Sequence, residues 1–190
     1  PAVAGDVLET LVLPYGATPL CSNTPTKENT PEWSYSFAWT PQIQTVVGDA
    51  NYTATFTPTK NKYTLTLLSN NDAVCTFAGA GTYDYNTDDH AVQISVVPNL
   101  GYEFVKWQIK NGDVYEDITE PANFTTSITV NKTYKAVIKE QNLVVGLNEG
   151  VEVKKPTTVP NLILQASAGE SGQLLKAENL TVTGNAYFDL

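Results

Sequence analysis

A 190-residue chain with 20 acidic against 11 basic residues, and so a formal charge of −9, has no basic groove of the kind that displaces counterions from nucleic acid, and no nucleic-acid partner is expected. Hydrophobic residues make up 42% of it, enough for packed cores and too many for a disordered chain. No apolar run approaches the ~20 residues that span a bilayer, and no signal peptide opens the chain, so this segment is not expected to insert into a membrane.

The composition points to β structure: ten Tyr and three Trp, with many Val and Thr, and Asn, Gly and Pro between short apolar runs. The chain starts with Pro1 and contains no Met, which reads as a fragment or a processed form. Its final strand-like run, 185–190, points the same way. Residues 6–13 are the one stretch able to act as an opening strand of the first module. Pro14-Tyr15-Gly16-Ala17-Thr18 is turn-like. Thr24-Pro25-Thr26-Lys27-Glu28 can open one helical turn, with Thr24 as N-cap and Pro25 at the first position.

Then comes Trp33-Ser34-Tyr35-Ser36-Phe37-Ala38-Trp39, aromatic at every odd position and small at every even one. Such alternation predicts a strand with all four aromatics on one face. Gly48-Asp49 predicts a hairpin turn before the strand Tyr52-Thr53-Ala54-Thr55-Phe56.

The same features recur in order after an added opening strand, Tyr63-Thr64-Leu65-Thr66-Leu67-Leu68. They are a Tyr-centred turn (Asp84-Tyr85-Asn86-Thr87-Asp88), an aromatic strand (Tyr102-Glu103-Phe104-Val105-Lys106-Trp107), a turn (Val130-Asn131-Lys132-Thr133) and a strand (Tyr134-Lys135-Ala136-Val137-Ile138). Both closing strands contain Tyr-x-Ala. Turns are also expected at Asn70-Asn71-Asp72, Asn99-Leu100-Gly101 and Asn111-Gly112-Asp113. In the second copy Tyr, Phe and Trp are spaced two and three rather than two and two. Trp39 and Trp107 both read as core anchors, and that spacing then requires a bulge near Val105-Lys106.

A third region begins near Asn142, with a linker-like run at 154–160. Asn161-Leu162-Ile163-Leu164 and Asn179-Leu180-Thr181-Val182 follow, separated by a glycine-containing turn at 167–172. Two such strands fit either rungs of a β-solenoid or a hairpin in a sandwich. A helical period shows weakly near Leu174-Leu175-Ala177.

Residues 6–10, 14–19, 35–41 and 48–56 resemble the Listeria–Bacteroides repeat, the internalin B-repeat-like module of bacterial surface proteins. Residues 62–140 look like a divergent copy, through Gly101-Tyr102-Glu103-Phe104-Val105-Lys106-Trp107 and Tyr134-x-Ala136. One departure stands out: Ala38 precedes Trp39 where the family usually has Gly. The resemblance implies a mainly β fold of two tandem small β-grasp-like repeats, each a mixed sheet with at most one short helix, followed by a partial β region. The expected boundaries are 1–60, 61–141 and 142–190. It also implies an extracellular or cell-surface location and a spacer or adhesive role without catalytic residues. The partner would be a host or bacterial surface protein or a glycan, and the chain a monomer.

Candidate chemistry is sparse. The single histidine, His90, sits in a polar loop without a nucleophile elbow. One His and two distant Cys do not make a zinc site, and Cys21 and Cys75 read as free thiols. Glu116, Asp117 and Glu120 cluster after Tyr115, where a solvated acidic loop is expected rather than a paired-carboxylate site. Asp84-x-Asn86-x-Asp88 has the alternating oxygens of a calcium loop, but Asp89 and Ser95 stand where its Gly and Glu should be. No catalytic, cofactor-binding or metal-binding residue is therefore assigned. The alternative to a spacer is a carbohydrate-binding accessory module that stacks sugars on Trp33, Tyr83 or Tyr85. Trp33 reads equally as core.

Overall fold

The computed structural model describes residues 5–86, 91–146, 151–153, 157–165, 175–177 and 180–189, and these are mainly β. The chain divides into two compact units, Pro1–Lys62 and Tyr63–Leu190.

The first unit holds one antiparallel pair, β1 (Trp33–Thr40) and β2 (Thr53–Lys60), with Trp33 opposite Lys60 and Thr40 opposite Thr53. The rest of its described backbone is irregular. Residues 6–13 form no strand: Val7 and Val12 are exposed, and Glu9 turns instead to Ser22. Pro14–Ala17 does form the expected turn, with the Ala17 amide donating to Pro14 O at 3.1 Å and Gly16 at a φ of 84°. The segment 24–28 is not helical. It has no apolar face to dock, and Pro31 pushes Thr30 out of the α region, so a single turn has nothing to repay its nucleation. Gly48-Asp49 lies in a long irregular connection between β1 and β2, not in a tight hairpin turn.

The second unit begins with a five-stranded mixed sheet. Its strands are β3 (Lys62–Ser69), β5 (Gly81–Asp84), β7 (Tyr102–Asn111), β8 (Val114–Ile118) and β10 (Lys132–Glu140), in the order β5-β3-β10-β7-β8. β10 runs parallel to β3 and antiparallel to β7. Gly112, at a φ of 60°, and Asp113 form a two-residue turn closing β7 onto β8, as the Asn-Gly signal predicts. A three-stranded antiparallel sheet, β4 (Cys75–Ala78), β6 (Val92–Pro98) and β9 (Asn123–Thr126), supplies the facing layer. Asp72–Val74, a short 3-10 turn capped by Asn71, is the helical element among the described residues.

Trp107 fills the space between these sheets at 0% exposure. Its ring lies 6.1 Å from Phe77, 5.9 Å from Phe124 and 5.7 Å from Phe104, and its indole N–H donates to Pro121 O at 3.0 Å. The expected bulge is present. Val137 pairs with Lys106 and Ile138 with Phe104, so Val105 is the extra residue, and Phe104 and Trp107 both reach the core.

From residue 143 onward the strands stack in parallel. β11 (Leu143–Gly146), β14 (Leu162–Gln165) and β17 (Ala186–Asp189) form one sheet. β12 (Val151–Val153) pairs with β15 (Leu175–Ala177), and β13 (Thr157–Val159) with β16 (Leu180–Val182). The chain visits the three sheets in the same order twice and starts a third round, which is solenoid geometry. The residues near Leu175 that suggested a helical period are strand. The two Asn-Leu segments noted in the sequence lie in different sheets.

The repeat that stacks is Asn142, Asn161 and Asn185, each one residue before a strand of the first of these sheets. Asn161 Nδ2 donates to Asn142 Oδ1 at 3.0 Å, and the Asn185 amide donates to Asn161 Oδ1 at 2.9 Å. Leu143, Val145, Val159 and Leu162 form the buried centre. Gly101, at a φ of 86°, abuts this element: a Cβ there would lie 2.4 Å from Val159 Cγ1. The linker residues 154–156 and the turn 167–172 lie outside the described residues.

Candidate interaction surface

Period-two alternation sends Trp33, Tyr35, Phe37 and Trp39 to one face of the first hairpin, with Lys60, Pro58, Phe56 and Ala54 opposite them. Phe37 meets Trp39 edge-on at 5.3 Å and Phe56 at 5.5 Å. The Lys27 ammonium sits 4.0 Å from the Tyr35 ring centre, and Lys60 sits 5.9 Å from that of Trp33 while pairing with Glu32 at 3.5 Å. All four β1 aromatics are half-buried. The expectation that Trp39 is a core anchor like Trp107 is therefore corrected. Among the described residues of the first unit none is fully buried, because that unit's described strands form a single two-stranded sheet. The other face carries Ser34, Ser36, Ala38 and Thr40 beside Thr59, Thr57, Thr55 and Thr53, all but Ser34 exposed.

The hairpin also has two edges. The Asn61 amide donates to Glu32 O at 2.8 Å, one step beyond the Trp33–Lys60 pair. Bonded pairs alternate in an antiparallel ladder, so Thr59, Thr57, Thr55 and Thr53 turn their amides toward β1, and Lys60, Pro58, Phe56 and Ala54 turn theirs outward. The β1 edge obeys the same parity and is partly covered. The Trp33 amide donates to Thr30 Oγ1 at 2.9 Å and the Tyr35 amide to Asn29 Oδ1 at 2.9 Å. The outward groups of Ala54 and Phe56 meet no hydrogen-bonding partner among the described residues. Pro58 has no amide hydrogen to offer there, which is the usual place of proline in an edge strand.

The acidic cluster does not converge. Glu116 and Asp117 belong to β8 rather than to a loop, and as neighbours in a strand they point to opposite faces. Asp117 accepts from Lys106 Nζ and, at 2.8 Å, from Gln108 Nε2, which holds its carboxyl below the ordinary range. Glu116 faces Asn111 at 3.4 Å, and Glu120 lies beyond the strand. Glu9 is likewise held low, by the Ser22 amide at 2.7 Å and then by its hydroxyl at 3.0 Å.

Asn86 spends its side-chain oxygen on the Ile128 amide at 2.9 Å, and His90, Asp88 and Asp89 lie outside the described residues. No group of three metal-capable side chains occurs among the described residues. An open groove of about 420 Å³ lined by Pro98, Leu100, Tyr102, Gln141, Leu143 and Val144 offers no carboxylate, imidazole or thiol. Cys21 and Cys75 are free, and burial pushes the Cys75 thiol up.

Tyr83 and Tyr85 are half-buried, and the Tyr83 hydroxyl donates to Gly79 O at 2.8 Å. Sequence reasoning missed the open edge of β2, although Pro58 after an alternating run was its signal. Compared with known proteins, the chain matches no family model, no curated sequence and no solved structure at significance.

Proposed function

We propose that the chain is a non-catalytic segment of a secreted or cell-surface bacterial protein, with two copies of one β-grasp-like repeat of the Listeria–Bacteroides type ahead of a solenoid. It acts as a spacer and protein-interaction module. The observation that carries this reading is a shared register: Trp39 lies opposite Ala54, and Trp107 lies opposite Ala136. In both antiparallel pairs the last aromatic of one strand meets the alanine of the Tyr-x-Ala in the other, as copies of one unit would. Modules in series position a neighbour by shape alone. A glycan-stacking role calls for exposed rings, and Trp33, Tyr83 and Tyr85 are each half-buried.

Proteinase treatment of intact source cells tests location. Release of this segment into the medium is expected, and full protection until lysis would overturn the reading. A hydrolase-substrate screen with the purified chain is expected to show no turnover.

A further inference from the structure

The β1–β2 and β7–β10 pairs share a register but not their neighbours. In the second unit the edge of β10 away from β7 is taken by β3. The Asn70 amide donates to Ala136 O at 3.2 Å. The Asn70 side chain then imitates one more strand residue: its Nδ2 donates to Ile138 O at 2.8 Å, and the Ile138 amide donates to its Oδ1 at 2.7 Å. Aligning Tyr134-x-Ala136-x-Ile138 with Tyr52-x-Ala54-x-Phe56 places the groups that β3 and Asn70 satisfy on the outward groups of Ala54 and Phe56. Those meet no partner among the described residues.

We infer that the outer edge of β2, at Ala54 and Phe56, is an acceptor for an extended segment of another polypeptide, added as a parallel strand. The second unit specifies the chemistry. The segment in β3 carries Leu65 and Leu67 buried on one face, Thr64 and Thr66 on the other, and Asn70 at its end. Strand addition draws affinity from main-chain hydrogen bonds and selectivity from alternate side chains. Pro58 closes the acceptor on one side, so the site has a defined length. A second copy of this chain is the less suitable occupant, since each copy carries −9. The inference rests on the interaction half of the proposed function and names its partner class.

The test uses the whole 15N-labelled chain and synthetic peptides with the sequence of residues 62–70. The unmodified peptide is expected to shift the amide resonances of Ala54 and Phe56 and to slow their hydrogen exchange. Two further peptides are N-methylated at alternate positions, one on the odd residues and one on the even. One of them is expected to lose about tenfold or more in affinity, the equivalent of one or two hydrogen bonds, while the other still binds. Ala54→Pro, which imitates Pro58, is expected to abolish binding with the remaining spectrum unchanged. Absence of shifts at millimolar peptide, or equal binding by all three peptides, would overturn the inference. Self-association lost in Ala54→Pro without peptide binding would also overturn it, in favour of a second copy. None of these outcomes touches the surface location, which the proteinase experiment reads separately.

Discussion

Trp39 and Trp107 close similar aromatic runs and face the same residue type, yet one is half-buried and the other sealed. Trp107→Ala is expected to cost ~3–5 kcal/mol, the range for emptying a large core site, and Trp39→Ala clearly less. Urea unfolding of the two variants measures both. Two glycines separate strain from space in the same way. Gly112, at a φ of 60°, has nothing within 4 Å of a built Cβ, so Gly112→Ala should cost ~1–2 kcal/mol for backbone conformation alone. Gly101→Ala adds a collision with Val159 to a φ of 86° and should cost more. The thiols differ too. Cys21 should react with a disulfide reagent at once, and Cys75, buried with a raised pKa, only on unfolding. For Asp117 and Glu9 the folded carboxyls titrate below their ordinary 3.8 and 4.5. Their contribution is present above those values and is lost as pH falls through the lower folded ones. Asp117 is exposed and Glu9 only half-buried, so the effect is small. Lys106→Met should flatten the acid limb of the stability profile.

At the level of elements, the spacing of Tyr102, Phe104 and Trp107 places a bulge once Trp107 is taken as a core anchor, and Val105 is that residue. The inference worked because register is arithmetic: a three-residue step between two inward side chains leaves one residue unpaired. The third region was less legible. Asn-Leu at 161 and 179 suggested rungs, but the stacked positions are Asn142, Asn161 and Asn185, and the last of these is followed by Ala186 rather than leucine. Asn161→Ala removes both bonds of that ladder. It is expected to cost ~1–2 kcal/mol and to speed exchange of the Asn185 amide. The expected helical turn at 24–28 failed because capping residues mark a start without supplying the packing that keeps a turn.

At the scale of the molecule, the first unit has a hairpin without a facing sheet and the second has two layers and a solenoid. Amides of residues 33–60 should therefore exchange faster than those of 63–86 and 91–140, and should unfold at lower urea. Hydrogen exchange read by mass spectrometry checks this. The aromatic face and the bulge follow from alternation, which is a property of neighbours along the chain. Which tryptophan is buried was decided by tertiary structure, because the layer over Trp107 comes from Phe77 and Phe124, distant in sequence. The free edge of β2 was decided the same way: a strand becomes an edge through what does not pair with it, and pairing is a contact between remote segments.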